Sequence, residues 1–180
     1  EALAELTYRY GRDMRAAGHG RILNVASVAS MMAGPYMAMY FATKAFVRSL
    51  SEAVAHELRG TGVTVTCVCP GPTTTGFAKA AGMSGRNFFT MTRPATAHRL
   101  AAFAYRRMMR GSALAYHGPL TKAGAFAERA LPRALTRAAA AFMNGGDPTR
   151  HKVSQAASYR IGWNHRDCND YNASTTSRTI

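Results

Sequence analysis

The sequence predicts an α/β protein built on a doubly wound parallel sheet with helices on both faces. Helical and strand patterns alternate along the first two thirds of the chain, as in βαβ units. Residues 62–69 form an unbroken β-branched apolar run, typical of a strand buried on both faces of a parallel sheet. The chain has 180 residues, of which 47% are hydrophobic, and this is enough for one domain with a real core.

The first half of the chain predicts helix, strand, helix and strand in that order. Residues 1–17 predict the end of an amphipathic helix. Its apolar residues at helical spacing are Leu3, Leu6, Tyr10 and Met14. Residues 21–25 predict a short strand that leads into a loop containing Ser27. A long helix is then predicted at about residues 36–58, before the β-branched strand at 62–69.

The second half predicts a loop, a flap and further helical segments. Pro, Gly and Thr residues at 70–75 end the preceding strand and begin a loop. Residues 76–92, which are rich in Phe, Met and Gly, predict a mobile apolar flap. A helix at about 95–110 and a strand at 112–116 follow. Residues 119–142 then predict two arginine-bearing helical pieces separated by a proline.

The end of the chain differs in character from the rest. From residue 144 onward the sequence is rich in Ser, Thr, Asn and Arg and lacks periodicity. We therefore predict one α/β domain over residues 1–143 and a poorly ordered tail over residues 144–180. The first residue is Glu1 rather than Met, which indicates a processed product or a fragment.

The spacing of Ser27, Tyr40 and Lys44 predicts a site of proton transfer. A tyrosine hydroxyl is a poor acid or base near neutral pH because its ordinary pKa is about 10. Lys44 comes four residues after Tyr40, so both side chains share one face of the predicted helix. A cation about 6 Å away favours the phenolate by roughly 3 kcal/mol at an effective dielectric of about 20. Taken singly, each residue has a structural explanation that needs no catalysis. Ser27 fits a loop or capping serine, Tyr40 a buried helix tyrosine, and Lys44 a solvated lysine.

Cysteines and histidines predict neither a disulfide framework nor a metal site. Cys67 and Cys69 are two residues apart in a predicted strand, so they point to one face, which favours core packing over metal binding. Cys168 lies in the polar tail, and a reducing compartment, the cytoplasm, suits all three thiols. The histidines lack ligand spacing, apart from a weak H-x-x-C pattern at the last one, and are predicted at the surface: His19, His56, His98, His117, His151 and His165.

The net charge of +14 is concentrated in the second half of the chain. Residues 93–152 hold eleven Lys and Arg against two acidic residues, whereas residues 1–60 hold seven against five. Such an excess attracts phosphates, acidic lipids or nucleic acid. An arginine-rich surface from a high-GC genome explains the excess of basic residues equally well. We favour that interpretation and expect no nucleic-acid partner. The chain shows no apolar run of membrane-spanning length and no export leader.

The helical pieces around Pro132 allow two interpretations. Arg129, Arg133 and Arg137 suit contact with an acidic membrane face. The alternative, which we favour, packs the side that carries Leu131, Leu135 and Phe142 against the domain.

The chain resembles the short-chain dehydrogenase/reductase family over about residues 1–142, in the motifs around Ser27, Tyr40 and Lys44 and in those that follow them. The shared features are a strand that ends in N-V-A-S, a Ser-to-Tyr spacing of thirteen, and Y-x-x-x-K. A Glu57-Leu58 helix end and a strand that ends in P-G, with a threonine four residues beyond the glycine, complete the set. Each motif is weak alone, but their order and spacing together are specific. The resemblance implies a Rossmann-like sheet and a nicotinamide-dependent oxidoreductase that interconverts a secondary alcohol and a carbonyl.

The resemblance also implies roles for individual residues. Tyr40 would be the general acid/base, Lys44 would bind the nicotinamide ribose and hold down the tyrosine pKa, and Ser27 would orient the substrate carbonyl. The cofactor, NAD or NADP, would meet further residues at the strand ends and in the following loop. These are Asn24, Val25, Pro70, Gly71, Thr73 and Thr75. The flap at 76–92 would cover a fairly apolar substrate, and the long helix would serve in a homo-oligomer.

One departure from the family pattern concerns the glycine-rich turn that holds the cofactor pyrophosphate. No G-x-x-x-G-x-G segment is present in the sequence, and the residue that selects NAD or NADP is missing with it. We therefore interpret the chain as the C-terminal portion of a reductase, with the N-terminal glycine-rich half of the sheet absent. The alternative function is a catalytically silent fragment that acts only through association.

Overall fold

The computed structural model describes residues 2–74 and 94–144, all of which lie in one compact unit. In chain order the helices are α1 (Ala2–Ala17), α2 (Ala38–Glu57), α3 (Ala97–Met109), α4 (Pro119–Ala130) and α5 (Arg133–Met143). The strands are β1 (Gly20–Val25), β2 (Val63–Pro70), β3 (Thr73–Thr74), β4 (Ala95–Thr96) and β5 (Leu114–His117). A short 3₁₀ helix at Val28–Ser30 lies in the connection between β1 and α2.

The main sheet contains three parallel strands in the order β1-β2-β5. The register places Val25 beside Val68 and Cys67 beside Leu114. A second, two-stranded sheet pairs β3 with β4 in parallel. Among the described strands, β1 has a neighbour on one side only, so its other edge carries no strand partner.

Helices cover both faces of the main sheet, as the β-branched pattern of β2 predicts. On one face, Val63 and Val65 pack with Leu58 and residues of α1 and α2, while Cys67 and Cys69 pack with Val47. On the other face, Val68 packs with residues of α3 and β5. Residues 65–69 are almost completely buried, which fits a central strand of a parallel sheet.

The turns that precede β1 and β2 lie in close contact. Gly62 has a φ of +79°, and a Cβ atom there would lie 1.8 Å from the carbonyl oxygen of Gly18. The backbone N–H of Gly20 donates to the carbonyl of Gly62 at 3.3 Å. Only glycine satisfies both the backbone conformation and this approach. The contact aligns the starts of the two strands and hence their register.

The predicted elements are confirmed, with shifted boundaries. α2 begins at Ala38 rather than at residue 36, where Tyr36 has a φ of 67°. Pro70 was expected to follow β2 but is its last residue. A proline is tolerated at this position because the end of a strand does not need its backbone N–H for a further hydrogen bond to the sheet. Asn144 was assigned to the tail, but it caps α5 and its amide donates to the carbonyl of Pro35 at 2.9 Å. The flap at 76–92 and residues 145–180 lie outside the described residues.

The predicted apolar stripe of α1 is partly wrong. Leu3 and Met14 pack against the core, but Leu6 and Tyr10 are 53% and 57% exposed. The helix instead buries Thr7 and Gly11. Gly11 lies close to apolar side chains of β1 and of the end of α2, because the missing side chain brings α1 near them. Small residues, rather than large ones, therefore set which face of α1 is turned inward.

Candidate active site

The carboxyl ends of β1, β2 and β5 meet at one edge of the sheet because the three strands are parallel. This edge is where open parallel α/β sheets hold their ligands. The loop after β1 brings Ser27 to this edge, and β2 brings Pro70 and Gly71. The N-terminal part of α2 carries Tyr40 and Lys44, so the sequence-predicted residues come from three neighbouring segments.

The lysine ammonium holds a fixed position beside the tyrosine ring. Lys44 Nζ lies 5.9 Å from the centroid of the Tyr40 ring, so the two side chains share a helix face as predicted. The same Nζ donates to the carbonyl of Val25 at 3.1 Å, which fixes α2 to the end of β1. An ammonium has three N–H donors, and the other two have no hydrogen-bond partner among the described residues.

Burial changes the proton affinity of this lysine. Lys44 is half-buried, and desolvation lowers its pKa from the ordinary value of 10.5. The thiols of Cys67 and Cys69 oppose that change because a negative charge on either would favour the ammonium. The charge of Lys44 therefore lies in a partly dry environment.

The hydroxyl of Ser27 caps the 3₁₀ helix. Its Oγ accepts from the backbone N–H of Ala29 at 3.1 Å, and its backbone is extended. The carbonyl of Ser27 accepts from the hydroxyl of Ser30 at 2.6 Å. Capping, which the sequence left open as an explanation, is therefore a structural role of Ser27. In the capping bond Oγ is the acceptor through one lone pair, so the hydroxyl of Ser27 can still donate its own proton.

The side chain of Asn24 is engaged inside the protein. Its Nδ2 donates to Ser51 Oγ at 2.9 Å and contacts Thr7 Oγ1 at 3.5 Å. Ser51 in turn donates to the carbonyl of Val47 at 2.6 Å. This buried network connects α1, β1 and α2. Sequence reasoning missed it, although Ser51 comes seven residues after Lys44 and hence on the same helix face.

The loop after β2 is held by close contacts. A Cβ atom on Gly71 would lie 2.5 Å from Thr121 Oγ1, so the loop passes against the first turn of α4. Thr73 Oγ1 donates to the carbonyl of Gly71 at 3.1 Å. Thr75, which was predicted to contact the cofactor, lies outside the described residues.

The two thiols of β2 lie directly beneath α2. Cys67 and Cys69 are fully buried on one face, as their spacing predicts, and Cys69 Sγ is 3.6 Å from Ser30 Oγ. The hydrogen bond between the thiols, together with burial, raises the pKa of Cys67. The same bond lowers the pKa of Cys69 against the effect of burial. In the described part of the chain, no group of three His, Cys, Asp or Glu side chains is placed to hold a metal ion.

His117 departs from the predicted surface position of the histidines. It is half-buried at the end of β5, and its ring lies 4.9 Å from that of Phe103. Burial lowers the pKa of His117 from its ordinary value. His19, His56 and His98 are exposed, as predicted, and the remaining two histidines lie outside the described residues.

Comparison with known proteins finds similar sequences for the first part of the chain. The family model for short chain dehydrogenases matches residues 1–84. The D-beta-hydroxybutyrate dehydrogenase of Rhizobium meliloti is 41% identical over 58 residues, which cover 32% of this chain and 22% of that protein. The 3-oxoacyl-[acyl-carrier-protein] reductase of Synechocystis is 52% identical over 52 residues, which cover 29% of this chain and 21% of that protein.

Solved structures agree with that match. A 7beta-hydroxysteroid dehydrogenase structure is 25% identical, with a TM-score of 0.59 over 70% of this chain and 49% of that one. A short-chain dehydrogenase from Sphingobium yanoikuyae in complex with NADPH is 26% identical, with a TM-score of 0.54 over 66% of this chain and 46% of that one. The chain thus spans about half the length of these solved relatives and about a fifth of the two curated ones named above. Residues 1–84 therefore match the short-chain dehydrogenase family model, and the sheet has the Rossmann-like α/β fold of solved short-chain dehydrogenases.

Proposed function

We propose that this chain carries the acid–base part of an NAD(P)-dependent oxidoreductase site that interconverts a secondary alcohol and a carbonyl. The observation that carries the proposal is the Tyr40–Lys44 pair at the carboxyl edge of the sheet, with the ammonium 5.9 Å from the ring centroid and bound to the carbonyl of Val25. The match of residues 1–84 to the short-chain dehydrogenase family model supports the same reaction class.

Each residue of the triplet has a distinct role in the proposed reaction. Tyr40 gives a proton to the carbonyl oxygen in reduction and takes it from the hydroxyl in oxidation. Lys44 holds its positive charge beside the ring of Tyr40 and would bind the cofactor ribose. Ser27 donates its hydroxyl proton in a hydrogen bond to the same substrate oxygen, while its lone pair continues to cap Val28–Ser30.

The residues present fit the nicotinamide and ribose portion of the cofactor. NAD or NADP supplies the hydride when bound. The two N–H donors of Lys44 that have no described partner suit ribose hydroxyls. Backbone groups of Asn24 and Val25 and the loop at Pro70 and Gly71 would lie beside the cofactor. Thr73 and Thr75 would contact its carboxamide or phosphate side.

The names of relatives support a secondary alcohol or its ketone as substrate. The hydroxybutyrate, 3-oxoacyl and 7beta-hydroxysteroid enzymes are named for hydroxyl or oxo groups carried on a carbon skeleton. The Phe- and Met-rich segment at 76–92 favours a fairly apolar substrate of this class, as does Val25, which is 47% exposed at the end of β1. We propose a small-molecule substrate of this kind and no nucleic-acid partner.

The alternative function, association without catalysis, has two structural observations in its favour. Among the described strands, β1 leaves one edge unpaired. A groove of about 460 Å³ runs beside it between α1 and β1, lined in part by Leu6, Tyr10 and Ile22. An unpaired strand edge with apolar surface nearby favours pairing with another segment or with a second copy.

Cofactor binding distinguishes the two functions. A titration of NADPH and NADH, followed by nucleotide fluorescence, would use the chain itself, Lys44→Met and the control Lys122→Met, which changes an exposed lysine of α4. We expect saturable binding by the chain and the control. We expect Lys44→Met to bind roughly 10- to 100-fold more weakly, because charged hydrogen bonds to the ribose are lost. Absence of binding by the unmodified chain would contradict the catalytic proposal and favour association.

A further inference from the structure

Helices α4 and α5 expose an unusual amount of apolar surface. Five large apolar side chains on this short segment are nearly half exposed or more. They are Leu120 (57%), Phe126 (77%), Leu131 (47%), Leu135 (57%) and Phe142 (72%). The interpretation favoured by the sequence, that Leu131, Leu135 and Phe142 pack against the domain, is therefore wrong.

The reason is that α5 contacts the protein through Ala140, its one buried residue, while Arg133 and Arg137 stay exposed at the rim of a pocket. Ala140 is fully buried against Ala29 and Phe41. Arg133 and Arg137 lie one turn apart and line a pocket of about 680 Å³ whose other wall includes alanines of α2. The opposite side of α5 carries Leu135 and Phe142, seven residues apart and hence on one face. The helix is thus amphipathic, with its apolar face directed outward.

The charge on the outward side of α4 has one sign. Phe126 is flanked on the same face by Lys122, four residues before it, and Arg129, three residues after it, and both are exposed. The only acidic residue of 119–143, Glu128, is half-buried and lines the pocket instead. The exposed surface of the two helices therefore combines aromatic and aliphatic side chains with cations and no carboxylate.

We propose that this outward face of α4 and α5 binds an anionic lipid surface. Phe126, Leu135 and Phe142 would enter the boundary between headgroups and acyl chains, while Lys122 and Arg129 would contact lipid phosphates, with their aliphatic stems along the apolar surface. A second copy of the chain is a poorer occupant, because two such faces would bring like charges together. Anionic lipid headgroups carry the opposite charge, which favours a membrane over a second copy as the partner of this face.

The contact would be peripheral. Helices α4 and α5 have 12 and 11 residues, and no helix of the described residues is long and apolar enough to cross a membrane. A basic amphipathic segment of this kind lies in the plane of the interface. Its binding depends on the lipid composition and weakens with salt, since the exposed cations are screened.

The test is flotation of the chain with lipid vesicles. One set would contain phosphatidylcholine alone and the other would also contain phosphatidylglycerol. We expect binding to the anionic vesicles only. Lys122→Gln combined with Arg129→Gln would weaken it roughly thirtyfold, as expected for two cations near a charged surface. Phe126→Ser with Phe142→Ser would abolish it, and Tyr8→Ser, at a 69% exposed position of α1, would leave it unchanged.

Three results would overturn the proposal. The first is equal binding to both kinds of vesicle, and the second is no binding to either. The third is a dimer in sedimentation velocity that Phe126→Ser with Phe142→Ser dissociates, because the face would then serve a second copy. Circular dichroism of each variant checks that its helices are retained, and the Lys122→Gln, Arg129→Gln variant gives an independent result if the apolar pair misfolds.

Discussion

The region around α2 and the region of α4 and α5 use similar residues in opposite ways. Phe41, on α2, is 9% exposed and packs with Ala29 and Ala140, whereas Phe126, on α4, is 77% exposed. α2 lies on the parallel sheet and packs Val47 against Cys67 and Cys69 of β2. α5 contacts the loop after β1 through alanine and directs its phenylalanine outward. The packing partners, and not helical amphipathicity alone, decide which face of a helix is buried.

The largest expected effect compares phenylalanines from the two regions. Phe41→Ala should lower the free energy of unfolding by about 3–5 kcal/mol, because it removes a buried ring and leaves a cavity. Phe126→Ala should change it by less than about 0.5 kcal/mol, because the ring is exposed. Urea unfolding followed by circular dichroism measures both. Equal losses in the two variants would mean that α4 is packed much as α2 is.

A smaller effect is expected within the buried network of α2. Ser51→Ala should cost about 1–3 kcal/mol, because the amide of Asn24 then loses its 2.9 Å partner inside the protein. Ser49→Ala, at an exposed position of the same helix, is the matched control and should be nearly neutral. The two variants are compared in the same urea titration. A neutral Ser51→Ala would show that the network does not contribute to holding α1, β1 and α2 together.

The smallest effect concerns pH and the lysine of the site. Burial lowers the pKa of Lys44 below 10.5 in the folded chain, so between these two pKa values the unfolded chain binds more protons. Lys44 should therefore make the free energy of unfolding rise with pH as the pH approaches 10.5 from below. Lys44→Met should remove that rise. The measurement is the urea midpoint of both proteins from neutral to alkaline pH, and parallel curves would contradict burial of this charge.

The sequence predicts the fold well because its signals are local. The β-branched run of β2 and the stop signals at Gly60 and Gly71 fix the order of helices and strands without any tertiary information. The face that each helix buries depends on its neighbours. Leu6 and Tyr10 follow the helical period and are nevertheless exposed, because Gly11 lets α1 approach through its small residues.

The candidate site is predictable only in part for the same reason. The spacing of Tyr40 and Lys44 places them on one helix face, and the structure agrees. Neither the bond from Lys44 to the carbonyl of Val25 nor the amide network of Asn24 has a local signal, because each joins segments 17 or more residues apart. The roles of all these site residues stay predictions, and Thr75 lies beyond the described part of the chain.

The central claim is that Tyr40 transfers the proton, and turnover of Tyr40→Phe tests it most directly. The measurement is carbonyl reduction and NADPH binding by the full-length protein, with Tyr8→Phe, at an exposed position of α1, as the control. Tyr40→Phe should lower turnover by about 10²- to 10⁴-fold and leave cofactor affinity within a few-fold, since only the acid/base is removed. The control should match the unmodified protein. Undiminished turnover in Tyr40→Phe would contradict the account.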